Sequence, residues 1–179
     1  MALLKELRIV KDHWYFRTIK RTRPWAIHTE SLHKDNIWEA TKRYVKNGNK
    51  AIWFVVAPVN YDFVKTESGI NISKKDWEKR ILERYKWLRK NNQEIQVHVH
   101  LRVKMELYES KKEEETDVRN KILDSVKWFR DNGFNVDKIV FGWWSYNKLA
   151  EDIAKEKGLK VIRRLNNYFI HDYDLTYMK

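Results

Sequence analysis

Apolar runs of strand length alternate with helical patterns along this chain. The runs begin near residues 25, 51, 94 and 138, and each gap between them holds a segment with apolar residues at helical spacing. These gaps are too long for hairpin turns, and consecutive strands joined through helices run parallel with right-handed crossovers. The sequence therefore predicts an α/β fold, a partial (β/α) barrel with mostly parallel strands and flanking helices.

Two of the runs carry the strongest strand signals. Ala51–Ala57 is an unbroken apolar run stopped by Pro58, which is typical of a central parallel strand. Glu94–Val103 alternates with a period of two, as a half-buried strand does. Shorter strands are predicted at Trp25–His28, Lys138–Phe141, Lys160–Ile162 and Tyr168–His171.

Capping residues place the helices between these strands. One helix is predicted over Ile37–Asn47 with Asp35 or Asn36 as its N-cap. The next helix begins at Ser73, with Asp76 completing a capping-box pattern. The later helices are predicted to start at Thr116 and to run over Asn147–Lys157.

Two connections exceed the usual length of two to six residues. Residues 58–72 leave the carboxyl end of a strand and are expected to form a rim or lid over a site. Residues 104–115 contain the run KKEEE, which favours a solvated loop or a helix start.

Composition limits the chemistry that the chain can perform. There is no cysteine, which excludes disulfides, thiolate zinc sites and cysteine nucleophiles, so a metal would be held by histidine and carboxylates. No run approaches the ~18 apolar residues that span a membrane, and charges interrupt the first ten residues. A cytoplasmic protein without membrane contact is expected.

The net charge of +12 is concentrated at the start of the chain, where residues 1–25 hold seven basic and two acidic side chains. We therefore divide the sequence into a basic aromatic segment, residues 1–22, and an α/β domain, residues 23–179. Trp14, Tyr15 and Phe16 interleave with basic residues in the first segment, a pattern that suits nucleic acid. The alternative is that a lysine-rich surface keeps an aromatic-rich domain in solution.

Polar side chains collect at the predicted strand ends, where ligands bind in such folds. His98 and His100 share one face of a strand, ~7 Å apart at Cα, so their imidazoles can converge on one cation. His28 and Glu30 follow the first strand, and Asp62 follows the second. Two histidines and a carboxylate are a common hydrolytic metal set. The alternative is a pair of histidines hydrogen-bonded within a polar interior.

Trp143 and Trp144 follow the fourth predicted strand. Adjacent strand residues face opposite ways, so at least one of these rings is expected in a cleft or in solvent, unless both are taken up by packing. Indole faces stack on pyranose rings and on bases. Arg102 and Tyr61 are further candidates for substrate binding.

The order of these segments resembles that of the polysaccharide deacetylase (NodB-like) family over about residues 24–165. Lys50–Val55 (KAIWFV) resembles the family's K-A-T-F-F-V strand, and Glu94–His100 (EIQVHVH) resembles its variant E-I-Q-L-H-L-H. Ala26–Glu30 (AIHTE) stands where the family has T-F-D-D-G or S-F-D-V-E. Ile170–Asp172 is similar to the family's late L-H-D segment.

The resemblance implies roles for individual residues. His98 matches the first metal histidine, and Arg102 occupies the place of the second, for which His100 substitutes by facing the same way. His28 stands where a catalytic aspartate is expected, and Gly142 stands where the family has an arginine. A metal set of His28, His98 and His100, with Glu30 joining them or acting as base, is implied.

The implied reaction is removal of acyl groups from an amino sugar or a related carbohydrate, with a divalent metal, zinc first among the candidates. Glu30 or Asp62 would act as the base, and His171 would protonate the leaving amine. Two alternatives stay open: a catalytically inactive carbohydrate-binding or scaffold domain of the same fold, and a basic nucleic-acid-binding protein. Fewer strands than the family's usual number would leave a sheet edge for a homo-oligomer.

Overall fold

The computed structural model describes residues 25–101, 112–142, 146–162, 169–171 and 175–176. Strands and helices alternate through them, as the spacing of apolar runs predicts. The strands are β1 (Trp25–Thr29), β2 (Ala51–Val56), β3 (Glu94–Val99), β4 (Lys138–Phe141), β5 (Lys160–Val161) and β6 (Phe169–His171). The helices are α1 (Asp35–Lys46), α2 (Tyr61–Ser68), α3 (Lys74–Lys90), α4 (Lys112–Asp131) and α5 (Lys148–Glu156).

The six strands form one sheet in the order β5-β4-β3-β2-β1-β6, and all five hydrogen-bonded pairs are parallel. Strands β1 to β5 are therefore successive neighbours, and β6 pairs with the other side of β1. No pairing joins β5 to β6 within the described ranges, so these strands form the two ends of the sheet. The predicted α/β class and parallel arrangement are confirmed.

The two faces of the sheet carry different side chains, because successive strand residues point to opposite faces. On one face Trp53 and Val97 pack in the main core with helix residues such as Ile81 and Ile122. On the other face lie a small separate cluster of Ala26, Phe54 and Val140 and, in register with it, His28 and His98. The residues that pack against helices α3 and α4, such as Trp53 and Val97, and the histidines His28 and His98 thus lie on opposite faces.

Helix α1 begins earlier than predicted, because Arg84 of α3 organises the preceding turn. The N-cap residue is Lys34, without a side-chain cap, so the prediction of Asp35 or Asn36 was wrong. The Arg84 guanidinium donates to the main-chain oxygens of Leu32 and Lys34 and pairs with the Asp35 carboxylate. A contact from a distant helix therefore determines this helix start.

The segment after β2 contains helical structure that the sequence analysis treated as a long connection. Pro58–Asn60 forms a short 3₁₀ helix and continues directly into α2, which ends at Gly69 in the left-handed conformation (φ 63°). Residues 58–72, expected to form a rim or lid over a site, thus contain packed helical structure, and the lid role stays a prediction. The buried residues Asn60 and Phe63 of this segment reach the candidate site.

Capping patterns in the sequence predict the starts of two of the remaining helices correctly and that of a third wrongly. Ser73 caps α3 as predicted, and Asn147, predicted as the first residue of the last helix, is the cap of α5; each side chain accepts a main-chain N–H. Helix α4, in contrast, begins at Lys112 and not at Thr116, so the helix-start interpretation of the KKEEE run was the right one. Acidic residues in a first turn suit the positive end of the helix dipole.

Several predictions lie outside the described residues: the basic segment 1–22, Arg102, and the pair Trp143 and Trp144. The nucleic-acid and homo-oligomer expectations, and the division at residue 22, therefore stay predictions. Among the helices that are described, none combines the length and apolar character needed to cross a membrane.

Candidate metal centre

Four side chains from neighbouring strand ends converge at the carboxyl edge of the sheet. His28 lies near the end of β1 and Glu30 directly follows that strand. His98 lies on β3, and His100 follows its last residue. One ligand atom from each of the four can be chosen so that all lie within 4.8 Å of one another. The structure brings together the histidines predicted as metal ligands and the carboxylate predicted beside them.

The imidazoles form a compact group. The Nε2 atoms of His28 and His98 are 2.6 Å apart, a hydrogen bond in which one nitrogen donates and the other accepts. The His98 and His100 ring centroids are 4.4 Å apart. Oxygens of Glu30 lie 4.0 Å from His98 Nδ1 and 3.9 Å from His100 Nε2. The carboxylate thus faces two of the three rings.

The donor set fits a divalent cation. Nitrogen and oxygen ligands lie about 2.0–2.2 Å from zinc, so two ligands of one tetrahedral ion lie about 3.4 Å apart. The four ligand atoms lie within 4.8 Å of one another, so the widest separation would have to close by up to about 1.4 Å. The His28–His98 contact would have to open by about 0.7 Å for tetrahedral geometry. Imidazole and carboxylate with no sulfur are ligands that zinc and similar metals accept.

The four side chains are largely removed from water. His98 is fully buried and His100 is 2% exposed, while the side chain of Glu30 is 16% exposed. A cation held here would lie in surroundings of low dielectric constant, where its attraction to the Glu30 carboxylate is stronger than in bulk water.

His33 is a buried histidine outside the cluster. Its Nδ1 donates to the main-chain oxygen of Glu30 at 3.3 Å, and its ring meets the Trp77 ring edge-on. Burial is the main cause that lowers the pKa of His33 from 6.5 to about 4. A neutral His33 therefore supports the turn after β1 and adds no charge to the site.

Two predicted residues lie apart from the cluster. Asp62 is exposed in the first turn of α2 and is not among the four converging groups. Tyr61 is buried, donates its hydroxyl hydrogen to the Ile72 oxygen at 2.7 Å and packs against Trp77. The structure thus leaves Glu30 as the carboxylate that accompanies the histidines.

The main chain of His171 lies beside that of His28 in the sheet. Its Cα is paired with that of His28 across β6 and β1, which brings the late histidine segment beside the first strand. The roles predicted for Arg102, Trp143 and Trp144 fall on residues outside the described part of the chain. These roles stay predictions.

No role was predicted from the sequence for the residues that hold His100. Asn60 Oδ1 accepts the main-chain N–H of His100 at 3.1 Å, and the Phe63 ring stacks on the imidazole with centroids 3.8 Å apart. Asn60 belongs to the polar residues that follow β2, and because β2 and β3 are neighbours, that position is a signal of a contact with the end of β3. Phe63 carries no such signal, since its contact depends on a helix that was not predicted.

Comparison with known proteins identifies structures of similar fold. A CE4 family pseudoenzyme from Bacillus anthracis is 14% identical with a TM-score of 0.55, over 78% of this chain and 42% of that one. A mutant of it with restored enzymatic activity is 11% identical with a TM-score of 0.59, over 88% and 60%. The chain therefore spans less than half the length of the first of these.

A family 4 carbohydrate esterase from Streptomyces lividans, solved in complex with acetate, shares the fold as well. It is 10% identical with a TM-score of 0.55, and the alignment covers 88% of this chain and 83% of the esterase. No family model matches the sequence, and no curated protein is similar to it in sequence. At these identities the likeness confirms the fold that the strand motifs imply.

Proposed function

We propose that this chain, whose fold is that of the family 4 carbohydrate esterases, is a divergent deacetylase-like hydrolase that removes acyl groups from an amino sugar or a related carbohydrate. The observation that carries the proposal is the convergence of three imidazoles and one carboxylate within 4.8 Å at the carboxyl edge of a parallel sheet. The esterase of similar fold that was solved in complex with acetate supports the choice of an acyl group as the part of the substrate that is removed.

His28, His98 and His100 would hold the metal, with zinc as the first candidate. A divalent cation bound there would polarise an acyl carbonyl and lower the pKa of a water molecule. The protein's part is to keep three imidazoles pointing at one place. The strands do so for His28 and His98, because both side chains project from the same face of one sheet.

Glu30 is the group that we assign as general base. Its carboxylate lies about 4 Å from two of the rings, so it would be within hydrogen-bond reach of a water molecule bound beside a cation that these rings hold. The carboxylate would accept the proton of that water as it attacks the acyl carbon. His171, on the strand paired with β1, is proposed to protonate the leaving amine. Trp143 or Trp144 is proposed to stack on the sugar ring.

A second candidate is a carbohydrate-binding domain of the same fold that does not turn over its ligand. The observation that favours it is the single carboxylate of the cluster, since Asp62 is not one of the converging groups. If Glu30 itself binds the metal, no second carboxylate of the described cluster is left to act as base. The pseudoenzyme of similar fold is consistent with this candidate.

The test combines metal analysis with a turnover assay. The protein is purified with zinc, nickel or cobalt supplied in turn, and acetate release from N-acetylated chitooligosaccharides is measured. We expect one metal ion per chain, and loss of both metal and acetate release in His98→Ala. His33→Gln serves as the matched control, because it alters a buried histidine outside the cluster and is expected to retain both.

Two results separate the candidates. Stoichiometric metal and quenching of tryptophan fluorescence by chitooligosaccharides, without acetate release, would favour the binding domain. Absence of stoichiometric metal under all three conditions would overturn the hydrolase proposal.

A further inference from the structure

The imidazole of His100 is enclosed by residues that supply no ligand to the cluster. Asn60 holds its main-chain N–H and the Phe63 ring stacks on it at an interplanar angle of 17°. Both residues come from the segment that follows β2. The main chain and the ring of His100 are therefore both held by the segment after β2, the strand next to β3.

Gly142 completes this enclosure from the other neighbouring strand, β4. A Cβ atom added to Gly142 would lie 2.0 Å from His100 Nδ1 and 2.2 Å from His100 Cε1. Carbon atoms do not approach ring atoms this closely, so a side chain at position 142 and the observed His100 ring exclude one another. The space of the missing side chain is occupied by the imidazole.

Gly142 differs in this respect from the other four glycines of the chain. Gly48, Gly69, Gly133 and Gly158 all have φ between 63° and 78°, the left-handed region that glycine adopts easily. Gly142 is not among the residues with positive φ. Its main chain is open to other residues, so it is the His100 ring that requires glycine there.

We propose that Gly142 is a positioning residue of the metal centre: it leaves the space in which His100 turns toward Glu30 and His98. Any larger residue at position 142 would drive the imidazole out of this orientation, in which His100 Nε2 lies 3.9 Å from Glu30. This inference rests on the proposed function, because it assigns His100 to the metal set. It adds that His100 can serve as a ligand only while position 142 is glycine.

The experiment is Gly142→Ala in the full chain, with two readouts. The first is zinc affinity, measured by competition with a chromophoric chelator, for which we expect a loss of about 10- to 100-fold. The second is the Tm of the metal-free protein, which we expect to fall by roughly 5–10 °C because the added methyl group overpacks the site.

The double variant His100→Ala/Gly142→Ala shows whether the imidazole is the cause. Removing the ring makes room for the methyl group, so the double variant is expected to have a Tm close to that of His100→Ala. Its zinc affinity is expected to stay as low as that of either single variant. This comparison also holds if Gly142→Ala alone fails to fold.

Gly158→Ala is the control for a general loss of stability. Gly158 has φ 73° and no atom within 4 Å of an added Cβ, so alanine strains the main chain without touching the site. We expect a lower Tm, no recovery on combination with His100→Ala, and zinc affinity equal to that of the unaltered protein.

The results distinguish this inference from the proposed function. If the unaltered protein binds no zinc, the proposed function fails, and the Tm values of the metal-free variants decide whether His100 and Gly142 are coupled. Recovery in the double variant supports the coupling. The inference is overturned if Gly142→Ala keeps full zinc affinity. It is also overturned if the alanine at position 142 lowers the Tm as much in the His100→Ala background as it does in the unaltered protein.

Discussion

His28 and His98 are joined by a hydrogen bond between their Nε2 atoms, although 70 residues separate them in the chain. One of these nitrogens carries a proton and donates the hydrogen bond, and the other accepts that hydrogen bond. A ligand nitrogen offers its lone pair to a metal, so that proton must leave before both can bind one ion. The pair is thus a hydrogen-bonded couple in this structure.

Zinc is expected to stabilise the fold, because an ion that binds only the native state shifts unfolding by mass action. At a free zinc concentration 100 times the Kd the gain is about 2.7 kcal/mol, or roughly 5–10 °C in Tm for a chain of this size. Differential scanning calorimetry with zinc and with chelator measures it. His28→Gln should remove the gain and His33→Gln should retain it; an equal gain in both variants would contradict the assignment.

His33 is expected to make stability depend on pH. The pKa of His33 is about 4 in the folded state against 6.5 when unfolded, because of burial. Between these pH values the unfolded chain binds more protons than the folded one. The contribution of the neutral His33 to the free energy of unfolding is therefore complete above pH 6.5 and is lost as the pH falls toward 4. The loss reaches up to about 3 kcal/mol. Urea unfolding at several pH values should show a steeper decline for the native chain than for His33→Gln; parallel declines would be contrary to this account.

Gln93 is expected to be important for stability, because its side-chain oxygen accepts from two buried donors. Gln93 Oε1 takes the Ala51 N–H at 2.9 Å and the Trp53 indole N–H at 3.1 Å. Gln93→Leu should lower the free energy of unfolding by about 2–4 kcal/mol, since both donors lose their acceptor. Gln93→Glu keeps an acceptor for both donors, and in its protonated form it can also donate to the main-chain oxygen of Asn49 or Asn91, as Gln93 Nε2 does, so at acidic pH it should lose less than Gln93→Leu in urea unfolding. Equal losses would argue against this explanation.

Arg84 is expected to stabilise the turn before α1. Arg84→Met removes the bonds to Leu32 and Lys34 and the pairing with Asp35, and should lower the free energy of unfolding by about 1–3 kcal/mol. Lys127→Ala breaks an exposed ion pair with Asp131 and should leave the free energy of unfolding nearly unchanged. Urea unfolding compares the two. Similar small effects in both variants would show that the Arg84 contacts contribute little.

The parallel sheet and most helices could be predicted because their signals are local. Trp77, Tyr85 and Leu88 recur at helical spacing and are buried, and Ser73 caps its helix with its own side chain. Helix α2 was missed because a helix of eight residues shows barely two turns of periodicity.

The candidate site could be predicted only in its four converging side chains. His98 and His100 are identified by alternation along a strand, and His28 and Glu30 by their place at the end of the first predicted strand. The contacts of His100 with Phe63 and Gly142 depend on how three separate segments pack, and no spacing in the sequence encodes a ring filling the place of a missing side chain.

The placement of His28 and His98 on the face opposite Trp53 and Val97 has an evolutionary consequence. Substitutions of His28 and His98 do not touch the packing of Trp53 and Val97 against the helices, so side chains of the histidine face can change while the core of the sheet persists. In a sheet built this way, descent can change the chemistry without first changing the scaffold.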